Sequence, residues 1–300
     1  MRVAALLPAA TDIVIALGAG DRLVAVTHAC TLPARLSDVP RVTRSRVVAT
    51  GAAGIDAAVS ELSSAGAPLF ELDEALLTAQ RPDVLLTQAV CDVCAVREED
   101  VRAVASRLQP APVVTTLGAS SVEGVIDDIG RVGNALDVAD EAEELVAGLR
   151  SRIGAIHRKL KANAAPRPKV LVLEWTDPPF NAGHWVPDLV RRAGGHEILG
   201  RTGEKSRRIS DDEIRTTKPD IVVIAPCGYG LEEAVREARA LLLSAAFSFS
   251  PSTPVWALDA NRLTSSPGPT VARGIEVLAH VLHPALLGEP SPHDAVKIPR

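Results

Sequence analysis

The chain has 300 residues, of which 47% are hydrophobic and 23% are charged, and its formal net charge is −5. This is the composition of an ordinary globular protein with one or two domains. No basic run with interleaved aromatic residues occurs, which argues against a nucleic-acid partner, and no apolar stretch reaches the roughly 20 residues of a membrane-spanning helix.

The opening segment, Arg2–Val26, has features of both an export signal and a folded domain. Its basic start, apolar run and small residues are those of a secretory signal, but Pro8, Thr11 and Asp12 interrupt the apolar run. We therefore predict a strand, a turn that contains Pro8, and a helix that Thr11 or Asp12 caps and a glycine ends. The mature chain would then begin at its first residue and the protein would be cytoplasmic.

An internal duplication relates the two halves of the chain. Glu71–Gln88 aligns without a gap with Arg208–Ala225. In each copy a short helix ends before a proline, Pro82 or Pro219, and a continuous apolar run follows. Such a run is typical of a strand that is buried on both faces of a parallel sheet. The start of the chain is likewise repeated in Lys169–Gly195, with a longer turn, so we predict two α/β lobes.

The segment between the lobes carries apolar residues at helical spacing. It predicts two helices with a break at Leu136–Asp140, the second helix lying near Asp140–Lys161 with a length of ~33 Å. We expect an N-terminal α/β lobe at 1–118, a connecting helical segment at 119–167 and a C-terminal α/β lobe at 168–300. The predicted fold class is α/β, with two Rossmann-like lobes bridged by a long helix.

Several polar residues of the first lobe follow predicted strands. His28 and Cys30 come after the second strand, and Gln88, Cys91 and Cys94 come after the strand of the first repeat. Open α/β sheets bind ligands at the carboxyl ends of such strands. The residues can be packed thiols, contacts to a ligand, a redox dithiol or a four-ligand metal site. The Cys-x-x-Cys spacing argues against two structural disulfides.

Aromatic residues are concentrated in the second half, where the unusual stretch Leu173–Val190 follows a predicted buried strand. We interpret that stretch as a long turn whose flat side chains form a wall for a large planar ligand, although the loop can also cover its own aromatic cluster. The candidate ligand-binding residues of this half are Trp175, Asp177, Phe180, His184, Trp185 and Tyr229, with Pro267 and Gly268 in a later turn.

A family resemblance extends over nearly the whole chain. Its carriers are "LLPAATDIVIALGAGDRLVAVTHAC", "RPDVLLTQAVCDVCAV", "AGHWVPDLVRRAGG", "KPDIVVIAPCGYG" and "SSPGPTVARGIEVLAHVLHP". With these motifs the chain resembles the substrate-binding proteins of vitamin B12 and iron-siderophore ABC transporters, and its cysteine motifs resemble the cobalamin-binding branch. The resemblance implies a helical-backbone periplasmic-binding-protein fold.

The same resemblance implies a function. The protein would be a non-enzymatic binding protein that holds a corrinoid between its lobes, with no catalytic cofactor, and delivers it to an ABC-type membrane permease. Trp175, Phe180, Trp185 and Tyr229 would face the corrin from the second lobe, and His28 with the 88–94 segment from the first. A periplasmic or extracytoplasmic location is the alternative that the family implies.

Two other functions stay open at this point. A cytosolic metal- or thiol-dependent protein would use His28, Cys30, Cys91 and Cys94. An iron-siderophore or heme binder would use the same scaffold as the corrinoid binder, because aromatic walls suit all of these ligands.

Overall fold

The structure is a computed structural model that describes residues 1–90, 95–244, 247, 249–250 and 252–299. Its contacts divide the chain into two compact units. The first unit comprises Met1–Ala119 and Glu123–Gly148, and the second comprises Ser120–Val122 and Leu149–Arg300. Within the described residues, no helix is both long and apolar enough to cross a membrane.

Strands and helices alternate along most of the chain. The strands are β1 (Val3–Ala5), β2 (Leu23–Val26), β3 (Thr43–Ser45), β4 (Phe70–Leu72), β5 (Val84–Gln88), β6 (Val113–Leu117), β7 (Lys169–Thr176), β8 (Pro179–Asn181), β9 (His196–Glu197), β10 (Ile221–Ile224), β11 (Val255–Leu258) and β12 (Ala295–Lys297). The helices are α1 (Pro8–Ala16), α2 (Ala52–Ser64), α3 (Glu74–Ala79), α4 (Glu98–Ala105), α5 (Val122–Ala135), α6 (Ala139–Ala162), α7 (Val186–Arg192), α8 (Asp211–Thr216), α9 (Leu231–Leu242), α10 (Ala260–Leu263), α11 (Val271–Leu282) and α12 (Pro284–Leu287).

The first unit is built on a parallel sheet with the strand order β2-β1-β5-β6. All five residues of β5 are buried, which confirms the buried strand that the apolar run predicts. Strands β3 and β4 form a separate antiparallel pair, with Thr43 opposite Leu72 and Ser45 opposite Phe70. The carboxyl ends of β2 and β5 place the turn after Val26 and the residues Ala89 and Val90 at one edge of the sheet.

Helix α1 begins earlier than the sequence analysis predicts. Its first residue is Pro8, and Thr11 lies inside the helix, where its hydroxyl donates to the Leu7 carbonyl at 3.4 Å. Proline suits the first helical position because its φ is already helical and an amide hydrogen there would have no helical partner. The predicted turn at Pro8 and cap at Thr11 or Asp12 are therefore wrong, whereas the strand, the helix and the glycine stop are confirmed, Gly18 having a φ of +72°.

The second unit contains a sheet with the order β12-β11-β10-β7-β8, and β9 also pairs with β7. Strands β7, β10 and β11 are parallel, and β10 is buried along its whole length, as its apolar run predicts. The predicted long turn after a buried strand is partly wrong. Glu174 and Trp175 belong to β7, and β8 returns antiparallel to it with Phe180 opposite Trp175. Cross-strand aromatic pairs of this kind stabilise a hairpin.

The helical segment in the middle of the chain has the predicted break. Helix α5 ends at Ala135 and α6 begins at Ala139, with Asp137 in the left-handed region at a φ of +53°. Helix α6 has 24 residues, and the division into two units falls inside it, after Gly148. The separate connecting segment at 119–167, with domain borders at 118 and 167, stays a prediction.

Candidate ligand-binding site

An aromatic group lies at the carboxyl end of the sheet in the second unit. Trp175 is near the end of β7 and Tyr229 lies in the loop after β10; their ring centroids are 5.3 Å apart in an edge-on arrangement. Both residues are partly exposed, as is Phe180. An edge-on contact adds about 1 kcal/mol to the burial of two rings. Flat apolar surface is thus held in place where α/β sheets bind ligands.

Hydrogen bonds connect this group to the segment that follows β11. The Tyr229 carbonyl accepts from the Asn261 amide at 2.9 Å, and the Ser265 hydroxyl accepts from the Gly228 amide at 2.9 Å. Beside them, the Trp185 indole Nε1 donates to the Thr264 carbonyl at 2.8 Å. These bonds join the segments that follow β8, β10 and β11. We call Trp175, Phe180, Trp185 and Tyr229 the aromatic edge.

The other predicted residues of this half have different surroundings. Asp177 is exposed in the turn between β7 and β8. His184 has a φ of +52°, and its amide donates to the carbonyl of Glu204, in the segment after β9, at 2.6 Å. In the turn before α11, Pro267 is partly exposed, whereas Gly268 is buried and its amide donates to the Ser266 carbonyl.

Two carboxyl groups that were not selected from the sequence lie in β7 and in β9, the strand that pairs with the start of β7. Glu174, the neighbour of Trp175 in β7, accepts from the Gly183 amide at 3.1 Å, and burial raises the pKa of its carboxyl well above the usual range. Glu197 in β9 accepts from the Leu199 and Gly200 amides, yet burial raises its pKa to about 7. Glu174 gave one sequence signal, an acidic residue directly after an apolar run, whereas Glu197 follows two glycines and His196 and gave none.

The corresponding edge of the first unit is polar. His28 lies in the turn after β2, and its Nδ1 is 2.8 Å from the Thr43 hydroxyl. Its ring is 5.6 Å from the ring of Phe70 in β4. Burial lowers the pKa of His28, and the charge of Arg41 lowers it further. Thr43 and Phe70 could not be selected from the sequence, because the pairing of β3 with β4 is what brings both of them to His28.

Cys30 and Gln88 are internal residues of this edge. The Cys30 thiol is buried 3.1 Å from the Thr11 hydroxyl, and burial raises its pKa. Gln88 is buried at the end of β5, and its side-chain oxygen accepts from the Val90 amide at 2.6 Å. Cys30 thus has the surroundings of a packed thiol, whereas a metal ligand must be a thiolate.

Of the four predicted metal ligands, His28, Cys30, Cys91 and Cys94, the structure describes only His28 and Cys30. Cys91 and Cys94 lie outside the described residues. In the part of the chain that the structure describes, no three residues among His, Cys, Asp and Glu form a cluster able to hold a metal ion.

The chain belongs to the periplasmic binding protein family, whose sequence model matches residues 3–246. Members of this family are the substrate-binding components of transporters. No curated protein matches the chain in sequence.

Solved structures of the same fold confirm the predicted fold class. A periplasmic heme-binding protein from Pseudomonas aeruginosa is 19% identical with a TM-score of 0.74, covering 100% of this chain and 98% of its own. The periplasmic heme-binding protein RhuT from Roseiflexus is 20% identical with a TM-score of 0.70, covering 95% and 98%. The periplasmic vitamin B12 binding protein BtuF of Vibrio cholerae is 18% identical with a TM-score of 0.67, covering 95% and 97%. At these identities the likeness shows the fold alone.

Proposed function

We propose that this protein is a non-enzymatic binding protein for a corrinoid, and that the aromatic edge of the second unit is the surface on which the macrocycle lies. The observation that carries the proposal is the contact between Trp175 and Tyr229 at the carboxyl end of parallel strands. A macrocycle gains affinity by covering such rings, about 2 kcal/mol for each large side chain that becomes buried. Solved relatives that bind vitamin B12 and heme support a ligand of this size and shape.

The charges beside Tyr229 favour a corrinoid over heme. Burial raises the pKa of Tyr229, and the carboxylates of Glu237 and Glu233 raise it further, with Arg236 acting in the opposite direction. Heme carries two carboxylates, which this acidic surrounding repels, whereas the side chains of a corrinoid are largely neutral amides. The same reasoning disfavours an anionic iron-siderophore.

A membrane permease of the ABC type is the proposed partner, because family members are the substrate-binding components of such transporters. The periplasmic relatives support an extracytoplasmic location. The cytoplasmic location that the sequence analysis predicted finds no support in these comparisons. Placement of the ligand between the two lobes stays a prediction.

Calorimetric titration tests the proposed ligand. Purified protein is titrated separately with dicyanocobinamide, cyanocobalamin and hemin. We expect one binding site for a corrinoid with a dissociation constant of about 1 μM or lower, corresponding to about −8 kcal/mol, and weaker binding of hemin. Absence of corrinoid binding, or tighter binding of hemin, would overturn the corrinoid assignment. The absorption spectrum of protein purified from its native source gives an independent check, because corrinoids and heme absorb differently.

A further inference from the structure

The hydrogen bonds around His28 restrict where its ring can carry a hydrogen. The Thr43 hydroxyl oxygen is 3.0 Å from the His28 amide nitrogen, 2.8 Å from Nδ1 and 2.8 Å from the Thr27 hydroxyl oxygen. Thr27 and Thr43 are both buried. A buried hydroxyl must donate its hydrogen within the protein, because an unmade bond there costs about 1–3 kcal/mol.

Both hydroxyl hydrogens find acceptors inside this cluster only when Nδ1 is itself an acceptor, either from Thr43 at 2.8 Å or from Thr27 at 3.3 Å. If Thr27 donates to Thr43 and Thr43 donates to Nδ1, the Thr43 oxygen accepts from the His28 amide and from Thr27, and both hydrogens have acceptors. If Nδ1 carried the hydrogen, Thr43 would accept from His28 twice and donate to Thr27. The hydrogen of Thr27 would then find no acceptor among the contacts that the described residues make in this cluster.

We propose that His28 is a fixed neutral donor, with Nδ1 accepting from Thr43 and the hydrogen on Nε2, and that Nε2–H binds an oxygen of an amide or carboxylate side chain on the ligand. This inference rests on the proposed function and on the prediction that the ligand lies between the two lobes, since His28 belongs to the first unit and the aromatic edge to the second. His28 is partly exposed, and among the described residues its Nε2 has no hydrogen-bond partner. Phe70 packs against the ring and limits its rotation.

The assignment speaks against His28 as a metal ligand. A neutral imidazole binds a metal through the nitrogen that has no hydrogen, and here that nitrogen is Nδ1, which Thr43 occupies. The lowered pKa of the ring, caused by burial and by Arg41, agrees with a neutral imidazole. His28 would therefore bind a side chain at the periphery of the ligand and would not coordinate a metal ion.

Nitrogen NMR of the ligand-free protein tests the hydrogen position. The two ring nitrogens of His28 have different ¹⁵N shifts when one is protonated and the other is not, and a His28→Gln spectrum assigns the signals. We expect the Nε2–H form in the wild type and a larger share of the Nδ1–H form in Thr43→Val. A wild-type ring protonated on Nδ1 would overturn the proposal, whatever the protein binds.

Titration with dicyanocobinamide tests the contact to the ligand. We expect His28→Ala to weaken binding about three- to tenfold, the effect of one net hydrogen bond. His28→Gln keeps an N–H donor at a similar reach and should recover most of the affinity, and His157→Ala, an exposed histidine of α6, should bind as the wild type does. If the wild type binds cobinamide and His28→Ala binds equally well, the contact is refuted while the proposed function stands. If the wild type binds neither a corrinoid nor hemin, the proposed function fails, and the contact to the ligand fails with it.

Discussion

The two units present different surfaces at the carboxyl ends of similar parallel sheets. In the first unit the turn after β2 carries His28, whose ring is oriented by hydroxyl groups, with one aromatic neighbour, Phe70. In the second unit the carboxyl ends of β7 and β10 carry the aromatic edge, in which Trp175 and Tyr229 contact each other. The difference shows that the two copies of a duplicated fold can keep the same strands while the side chains at the strand ends differ. One edge is suited to directional hydrogen bonds and the other to the face of a ring system.

Replacement of Glu197 in β9 is expected to produce the largest effect, a change in the stability of the second unit. Its pKa is about 7 in the folded protein against 4.5 ordinarily. The protonated form therefore contributes stability that is fully present below pH 4.5 and is lost as the pH rises through 7, about 3 kcal/mol in all. Glu197→Gln cannot ionise, so this part of the pH dependence should disappear.

Urea unfolding between pH 4 and 8 measures that effect. The wild type should lose unfolding free energy over this range relative to Glu197→Gln, whereas Glu141→Gln, an exposed residue of α6, should follow the wild type. If the unfolding free energies of the wild type and Glu197→Gln depend on pH in the same way, the amide hydrogen bonds to Glu197 lower its pKa as much as burial raises it, and the prediction is wrong.

Truncation of the aromatic edge should weaken ligand binding more than truncation at the first unit. Trp175→Ala or Trp185→Ala removes ring surface worth about 2 kcal/mol, or about thirtyfold in the dissociation constant for a corrinoid. Cys91→Ser, Cys94→Ser and Phe70→Ala should each cost less. Titration calorimetry on folded variants decides between them. If the Trp variants bind as the wild type does while the Cys variants lose ligand or metal, the aromatic-edge proposal is wrong and the metal- or thiol-dependent function is favoured.

Removal of the helix caps in the two repeats should have the smallest effects, and similar ones. The Asp73 carboxylate accepts from the Leu76 amide at 2.8 Å at the start of α3, and the Ser210 hydroxyl accepts from the Glu213 amide at 3.2 Å at the start of α8. Asp73→Ala and Ser210→Ala should each lower the unfolding free energy by about 1 kcal/mol. Chemical denaturation measures both. A cost at only one position would show that the repeats no longer depend on the same local interaction.

Features that depend on neighbours in sequence were predicted well. The buried strands β5 and β10 follow from continuous apolar runs, and α3 and α8 end before Pro82 and Pro219, as proline requires. Features that depend on pairing between distant segments were missed. The β7–β8 hairpin was taken for a long turn, because a three-residue strand such as β8 gives hardly any periodic signal.

The candidate site follows the same rule. His28 and Trp175 were selected because each lies beside a strand end, which sequence patterns can locate. Their partners Thr43 and Tyr229 are 15 and 54 residues away along the chain, so only the folded sheets bring them into contact.

The central claim, that the macrocycle lies on the aromatic edge, is tested most directly by the indole N–H signals in ¹⁵N NMR. The chain has three tryptophans, and the third, Trp256, is buried in β11, where it serves as an internal control. Single Trp→Phe variants assign the three signals, and dicyanocobinamide is added to one equivalent. We predict that the signals of Trp175 and Trp185 shift while that of Trp256 stays in place. A Trp175 signal that does not move while calorimetry reports binding would contradict the claim.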